Sequence, residues 1–370
     1  MLSAAGHPPL TTDDPSRPGK RKGRGAPANP SGRFLDAARE TFDDGWSDGA
    51  DPAALTDTLR TTVTTEHARS IISRNASPDI PFEQSINPYR GCEHGCIYCY
   101  ARPAHAFVDL SPGLDFETRL FAKQNAAQLL EQELAAPGYR CSPISLGANT
   151  DPYQPIERRY RLTRALLEVL VAHRHPFTIV TKNAMVERDI DLIAPAARAG
   201  LAAVFVSVTT LDHDLARRLE PRATAPRRRV AAIKRLAAAG IPVGVMFAPV
   251  IPMLNDAELE AVLQAGAEAG AGAAGYVMLR LPREVRDLFV SWLAEHEPLK
   301  ADRIMARVRD LRGGRDNDPR FGQRLRGTGP FADLIRQRFE RAKRVNGLDR
   351  VRFELDTSQF RPPNEQLTLL

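Results

Sequence analysis

The run Asn87-Pro88-Tyr89-Arg90-Gly91-Cys92-Glu93-His94-Gly95-Cys96-Ile97-Tyr98-Cys99-Tyr100 places three of the chain's four cysteines within eight residues. Thiolates this close in sequence can converge on one metal centre, and soft thiolate ligands select zinc, copper(I) or iron–sulfur clusters. A structural zinc site needs a fourth protein ligand, and a [4Fe–4S] cluster held by protein alone needs four cysteines. The local count stops at three. In a cluster that leaves one iron open to an exchangeable ligand, which is the arrangement of a reactive centre rather than of a simple electron carrier. The competing reading is a zinc knuckle completed by His94 or by the distant Cys141. His94 itself reads as a surface residue of the loop.

Outward from this run the pattern is regular. Strand candidates are 84–88, 143–148, 177–182, 203–209, 242–249 and 275–281, rich in Val, Ile and Phe. Helical patterns lie between them near 120–136, 163–174, 187–199, 226–239 and 256–270. Within 228–239 the apolar residues Val230, Ile233, Leu236 and Ala237 share one face, and Gly240 ends the helix. Alternation of strand and helix with β-branched runs predicts an α/β fold, a parallel sheet covered by helices. Six units fall short of a closed eight-fold barrel. In barrels of this kind the chemistry sits at the C-terminal ends of the strands. Those ends carry Asn149-Thr150-Asp151-Pro152-Tyr153-Gln154-Pro155-Ile156-Glu157, Thr181-Lys182-Asn183, Ser207-Val208-Thr209-Thr210, and Met246 to Pro252, with Leu219-Glu220-Pro221-Arg222 before a helix. Each also has a plain reading as a turn, cap, local ion pair or core contact.

The three-then-two cysteine spacing with Tyr98 before the last cysteine resembles the cluster loop of the radical S-adenosylmethionine (SAM) superfamily. Thr181-Lys182, Ser207, Glu220-Pro221-Arg222 and the apolar strand into Ala248-Pro249-Val250 extend the likeness over about 83–282 to the spore-photolyase-like branch, whose members repair a thymine photodimer in DNA. The strand end at Asn149–Pro155 and the C-terminal half suggest a shorter subgroup of that branch whose reaction is not settled. The resemblance implies a partial (β/α)6 TIM-like barrel, a [4Fe–4S] cluster on Cys92, Cys96 and Cys99, and SAM chelated by the open iron. It implies a lyase-like enzyme that cleaves SAM reductively to a 5′-deoxyadenosyl radical, with an external one-electron donor of flavodoxin or ferredoxin type. Asp151 or Glu157 would receive the amino group of SAM, although the glycine-glycine-glutamate form of many members is missing. Lys182 and Ser207 would contact SAM, Arg222 would fork its carboxylate, and Tyr98 would border the cofactor site. Spore photolyases also place a hydrogen-donating cysteine near the position of Cys141. The preceding Arg140 and the usual burial of free cysteine favour a packing role there instead.

The chain has 370 residues, 43% hydrophobic and 26% charged, which is the composition of a globular protein. No apolar run is long enough to cross a bilayer, and the start Met-Leu-Ser-Ala-Ala-Gly lacks an export pattern. Four cysteines, three of them clustered, make no disulfide framework, so a reducing cytoplasm is expected and no membrane partner. Residues 1–60, with six prolines between Pro8 and Pro30 and the basic stretch Lys20, Arg21, Lys22 and Arg24, read as a disordered leader. Net charge is +6, and Lys300 to Arg352 holds 16 Lys and Arg against 7 Asp and Glu. Such an excess suits nucleic acid, or simply a solvated helical face. Residues 283–370 read as a mostly helical extension capping the barrel mouth, with helices over 284–295 and 331–345. Three functions follow: radical SAM chemistry on nucleic acid, the same chemistry on a protein or small molecule, or a non-catalytic metal-bearing nucleic-acid-binding module.

Overall fold

The computed structural model describes residues 23–30, 32–34, 60–349 and 354–363. Ten strands occur in chain order: β1 (Thr62–Glu66), β2 (Ile72–Arg74), β3 (Gln84–Ile86), β4 (Tyr89–Arg90), β5 (Arg119–Lys123), β6 (Ile144–Leu146), β7 (Phe177–Thr181), β8 (Ala202–Ser207), β9 (Val243–Val250) and β10 (Ala273–Met278). The helices are α1 (Asp115–Thr118), α2 (Ala126–Leu134), α3 (Glu157–Tyr160), α4 (Leu162–Ala172), α5 (Ile190–Arg198), α6 (His213–Leu219), α7 (Pro226–Ala238), α8 (Leu259–Glu268), α9 (Val285–His296), α10 (Ala301–Asp310) and α11 (Pro330–Val345).

The main sheet runs β10-β9-β8-β7-β6-β3-β2. Its six strands from β3 to β10 are parallel and follow chain order, and only β2 is antiparallel. Among the described residues β10 and β3 do not pair, so the barrel is partial, as expected. The strands are buried on both faces: Ala202, Ala203, Val204 and Val206 of β8 are all shut from solvent. That is the signature of parallel strands covered by helices. The covering helices bury one stripe each. Leu166, Leu167 and Leu170 of α4 and Ile233 and Leu236 of α7 lie in one core with Ile144, Ile179, Val204 and Val245. α7 starts on Pro226, whose missing N–H costs nothing at a helix's first position. Gly266 lets α8 lie tight on the sheet, since a Cβ there would meet Val245 at 2.7 Å.

One expected helix is shortened. Residues 119–123 form β5 and not the start of a helix over 120–136, because Leu120 and Ala122 alternate inward and pair with the Thr-Val-Thr-Thr run of β1. β1, β5 and β4 make a small second sheet beside the cysteine loop. The expected leader also differs in part. Within the leader, Gly25, Ala26 and Asn29 are hydrogen-bonded to the body of the protein and Arg33 pairs with Glu284, whereas residues 1–22, 31 and 35–59, including Lys20, Arg21 and Lys22, lie outside the described residues.

The described part of the C-terminal extension is mostly helical. α11 packs beside α8, with Phe339 against Tyr276 of β10 at 4.6 Å between ring centroids. Phe289, Trp292 and Leu293 of α9 share a second core with Cys96, Ile97, Tyr98, Leu215 and Leu219, so α9 braces the cysteine loop from the side. The tail closes the other end of the barrel, where Arg361 N–H donates to His173 O and Phe360 packs edge-on against His175.

Candidate active site

The cysteine loop follows β4 and lies across the C-terminal ends of the parallel strands. It is fastened at both sides. Gln154, after β6, accepts from Glu93 N–H at 2.9 Å and donates to Gly91 O at 3.0 Å. Ile97 N–H donates to Leu219 O, and Arg222 N–H donates to His94 O. The buried Tyr98 hydroxyl donates to the Glu220 carboxylate and lies 3.3 Å from Thr209 Oγ1, past the end of β8. Tyr100 crosses the rim, its hydroxyl donating to Ala148 O at the end of β6.

A buried ion pair stands on each side of this loop. Arg102 is wholly buried and donates to Cys96 O, Pro112 O and Gly113 O, with its other nitrogen 2.6 Å from Glu117. Glu117 accepts in turn from Gly25 N–H at 2.9 Å and Ala26 N–H at 2.8 Å, which docks the N-terminal arm onto the loop. A Cβ on Gly25 would sit 1.8 Å from Gly95 O, so only glycine permits this approach. On the other side, Glu220 accepts from Tyr98, Arg229 and, at 2.6 Å, Thr209. Burial works against its charge, but Arg229, Lys182 and these hydroxyls outweigh it and hold the carboxyl down at about 2. In the structure Arg222 bridges to Glu93 of the loop at 3.1 Å, and Arg229 is the partner of Glu220. The roles of Gln154, Arg102, Glu117 and Arg229 carried no local signal, since each acts across 6 to 92 positions of chain.

The strand-end residues separate into two groups. Lys182 stays with the cysteines, where its charge opposes the upward push of burial on the Cys96 and Cys99 thiols, and Ser207 ends β8 with its carbonyl held by Arg229. Among the described residues no carboxylate lies within ion-pair distance of Lys182 Nζ, and the Ser207 hydroxyl makes no hydrogen bond. Asp151 is a buckle instead. It accepts from Thr181 Oγ1, Lys182 N–H and Tyr153 N–H and faces His94 Nδ1 at 3.4 Å. Its oxygens are therefore occupied by protein groups. His94, expected on the surface, is 1% exposed and sits between Asp151 and Asn183. Glu157 is not brought to the rim. It is fully buried and taken by Tyr89, Thr163 N–H, Arg164 N–H and Arg188. Cys141 is also elsewhere. It precedes β6, five residues before Leu146, and at about 3.3 Å per residue that is on the order of 15 Å from the strand's C-terminal end. Burial alone lifts its thiol to about 11, and its neighbourhood is the closed end of the barrel. Cys141 is thus placed away from the strand ends that carry the other three cysteines. Phe247 is fully buried core.

The chemistry of the thiols tests which group they fit. Burial pushes Cys92, Cys96 and Cys99 above the usual thiol range, with Asp151 and the other thiols adding at Cys92 and Glu220 at Cys96. Thiolates here need positive charge from a bound metal. Among the described residues no three His, Cys, Asp or Glu side chains are placed to hold a single ion. His94 is held by Asp151 and Asn183 and Cys141 lies before β6, so neither is placed as the fourth ligand of a zinc knuckle, and the three-thiolate donor set fits a cluster with one open iron.

The family model of the Radical SAM superfamily matches residues 86–265. An uncharacterised protein of Mycobacterium tuberculosis is 39% identical over 250 residues, spanning 67% of this chain and 72% of the relative. The chain belongs to the radical SAM superfamily. A further uncharacterised relative, from Methanocaldococcus jannaschii, is 28% identical over 173 residues, 47% of this chain and 62% of its own length. Structures of spore photoproduct lyase share the fold, with a TM-score of 0.55 at 15% identity over 81% of this chain and 84% of theirs. One of them, at a TM-score of 0.54 over the same shares, holds AdoMet and a dinucleoside spore photoproduct. This radical SAM protein is thus an enzyme of SAM-dependent radical chemistry. The superfamily implies an iron–sulfur cluster, SAM and a source of electrons. Among the described residues no helix is long and apolar enough to cross a membrane.

Proposed function

We propose that this radical SAM enzyme holds a [4Fe–4S] cluster on Cys92, Cys96 and Cys99 and acts on nucleic acid as a lyase of the spore-photolyase type. The carrying observation is the three-cysteine loop across the strand ends with the fourth cysteine at the far end of the barrel. A cluster held there would pass one electron to bound SAM, whose reductive cleavage, with methionine as the leaving group, would supply the radical chemistry. The electron comes from a donor of flavodoxin or ferredoxin type, and three reduced thiols suit the cytoplasm.

The chain's own residues bind and orient. Lys182, beside Cys96 and Cys99 and without an ion-pair partner among the described residues, attracts the carboxylate of SAM, and Ser207 offers its hydroxyl to the ribose. Arg222 and Tyr98 position the loop through Glu93 and Glu220, so their contribution to SAM is indirect. The Arg102–Glu117 pair and the arm at Gly25–Ala26 exclude water from the loop's outer side. Support for a nucleic-acid substrate is the fold shared with spore photoproduct lyase and the basic C-terminal region. The test is anaerobic reconstitution, reduction and chromatography for 5′-deoxyadenosine, without and with ultraviolet-irradiated DNA. Product that disappears in Cys96→Ala is expected. A reduced cluster that binds no SAM would overturn the proposal.

A further inference from the structure

Three guanidinium groups gather just past the edge strand β10. Arg280 follows β10 by two residues, and its guanidinium carbon lies 5.4 Å from the ring centroid of Tyr100, the residue after Cys99. Arg280 Nε is buried without a hydrogen-bond partner, and among the described residues no carboxylate lies within ion-pair distance of the group. Arg312 is 1% exposed and donates only to main-chain carbonyls, those of Met278, Leu279, Gln323 and Arg324. Its Nε is likewise buried and unpartnered.

The nearby carboxylates are already occupied. Asp79 is taken by Arg324 Nε at 2.6 Å and by Gly322 N–H, and Asp318 is taken by Arg320. Burial and then Arg324 lower the pKa of Arg280, and Tyr100 and Asp79 offset this only in part. Burial and then Arg280 bring Arg312 down to about 10 against a smaller opposing pull from Asp318. Arg324 has Asp79, but among the described residues Arg280 and Arg312 have no ion-pair partner, and a cation removed from water without one is costly, so these two leave room for an anion. The flat ring beside it is held in place, because Tyr100 is 47% exposed while its hydroxyl is anchored on Ala148 O. An unpaired guanidinium fork next to a fixed aromatic face suits a phosphate attached to a base or ribose.

We propose that Arg280, backed by Arg312 and Arg324, binds a phosphate group of the substrate beside the cysteine loop, with Tyr100 stacking on the adjoining base. The proposal rests on the nucleic-acid reading of the same site. It assigns the substrate's point of contact to the gap beyond β10, on the rim that carries the cysteines.

The test uses the full-length reconstituted protein and a short fluorescent single-stranded oligodeoxynucleotide, followed by anisotropy at low and raised salt. Arg280→Ala is expected to weaken binding about 10-fold or more, the size of one lost charge-assisted contact. It should also lower the salt slope by about one phosphate contact. Arg280→Lys, which keeps the charge and loses the fork, should recover binding only in part. Arg235→Ala, on the exposed face of α7, should bind as the wild type does. Binding of labelled SAM by dialysis, iron content and circular dichroism should be unchanged in every variant. Competition by a mononucleotide would identify a singly read phosphate, and competition by oligonucleotide alone a phosphodiester chain; either supports the site. Wild-type protein that binds neither, equal binding by Arg280→Ala, or loss of SAM binding in that variant would overturn it. Failure of the radical chemistry would appear separately, as absent 5′-deoxyadenosine with anion binding intact.

Discussion

Replacing Glu220 by Gln tests how the site is held together. The carboxylate is fully buried, and the 1%-exposed Arg229 is its ion-pair partner. Arg229 also donates to Ser207 O at 3.1 Å and Thr224 O at 2.5 Å, so it joins β8 to the start of α7. Removing one partner of such a pair leaves a buried uncompensated charge, which costs about 3–5 kcal/mol. The pH behaviour gives an independent figure. A carboxyl held at about 2 against an ordinary 4.5 contributes about 3 kcal/mol at neutral pH. Because the folded value is the lower one, this stability is fully present above pH 4.5 and is lost as pH falls through 2. Urea denaturation of wild type and Glu220→Gln at several pH values reads both predictions. The variant should be less stable by about 3 kcal/mol at pH 7, and the gap should narrow steadily below pH 4.5. The double variant Glu220→Leu/Arg229→Met, with neither charge, should recover much of the loss. A gap under about 1 kcal/mol at pH 7, the worth of an exposed pair, or one that does not change with pH, would refute the reasoning.

Three further outcomes are expected. Gly25→Ala forces the arm off the loop, since its Cβ would meet Gly95 O at 1.8 Å; overpacking of this kind costs about 1–3 kcal/mol. It should be seen as faster hydrogen exchange at the amides of residues 25 and 26, and unchanged exchange would show that the arm is not held there. Cys141→Ala should leave iron content and 5′-deoxyadenosine yield as in the wild type, because Cys141 lies at the opposite end of the barrel; a changed yield or product would return it to the chemistry. His175 is buried and its pKa pulled down to about 4. The imidazole is therefore neutral in the folded state, and its stability contribution, present above pH 6.5, is lost as pH falls toward 4. His175→Gln should flatten the stability profile between those values by about 3 kcal/mol, as thermal unfolding across that range would report.

Much of this enzyme was legible in its sequence, for a physical reason that differs from element to element. The six parallel strands announced themselves because β-branched and aromatic runs such as Phe177–Thr181 and Ala202–Ser207 must be covered on both faces, and covered strands have little compositional freedom. β5 was missed because its inward residues, Leu120 and Ala122, fit a strand or a helix equally well until Thr62–Glu66 supplies the partner. The cysteine spacing is local chemistry, and three ligands within eight residues can be read without a fold.

What the linear chain alone determined, then, was the strand–helix alternation and the three-thiol loop, since both depend on neighbours a few residues apart. Which strand-end residues face that loop was decided only by tertiary structure. Asp151, Glu157, Lys182 and Ser207 look equally suited in sequence, yet Asp151 and Glu157 are saturated by donors from other elements while Lys182 and Ser207 remain open. The same holds for charge: whether an arginine is spent, like Arg229 on Glu220, or left over, like Arg280, depends on partners brought in by folding. A buried charge is settled by whatever group is within a few ångströms in space, and sequence distance carries no information about that.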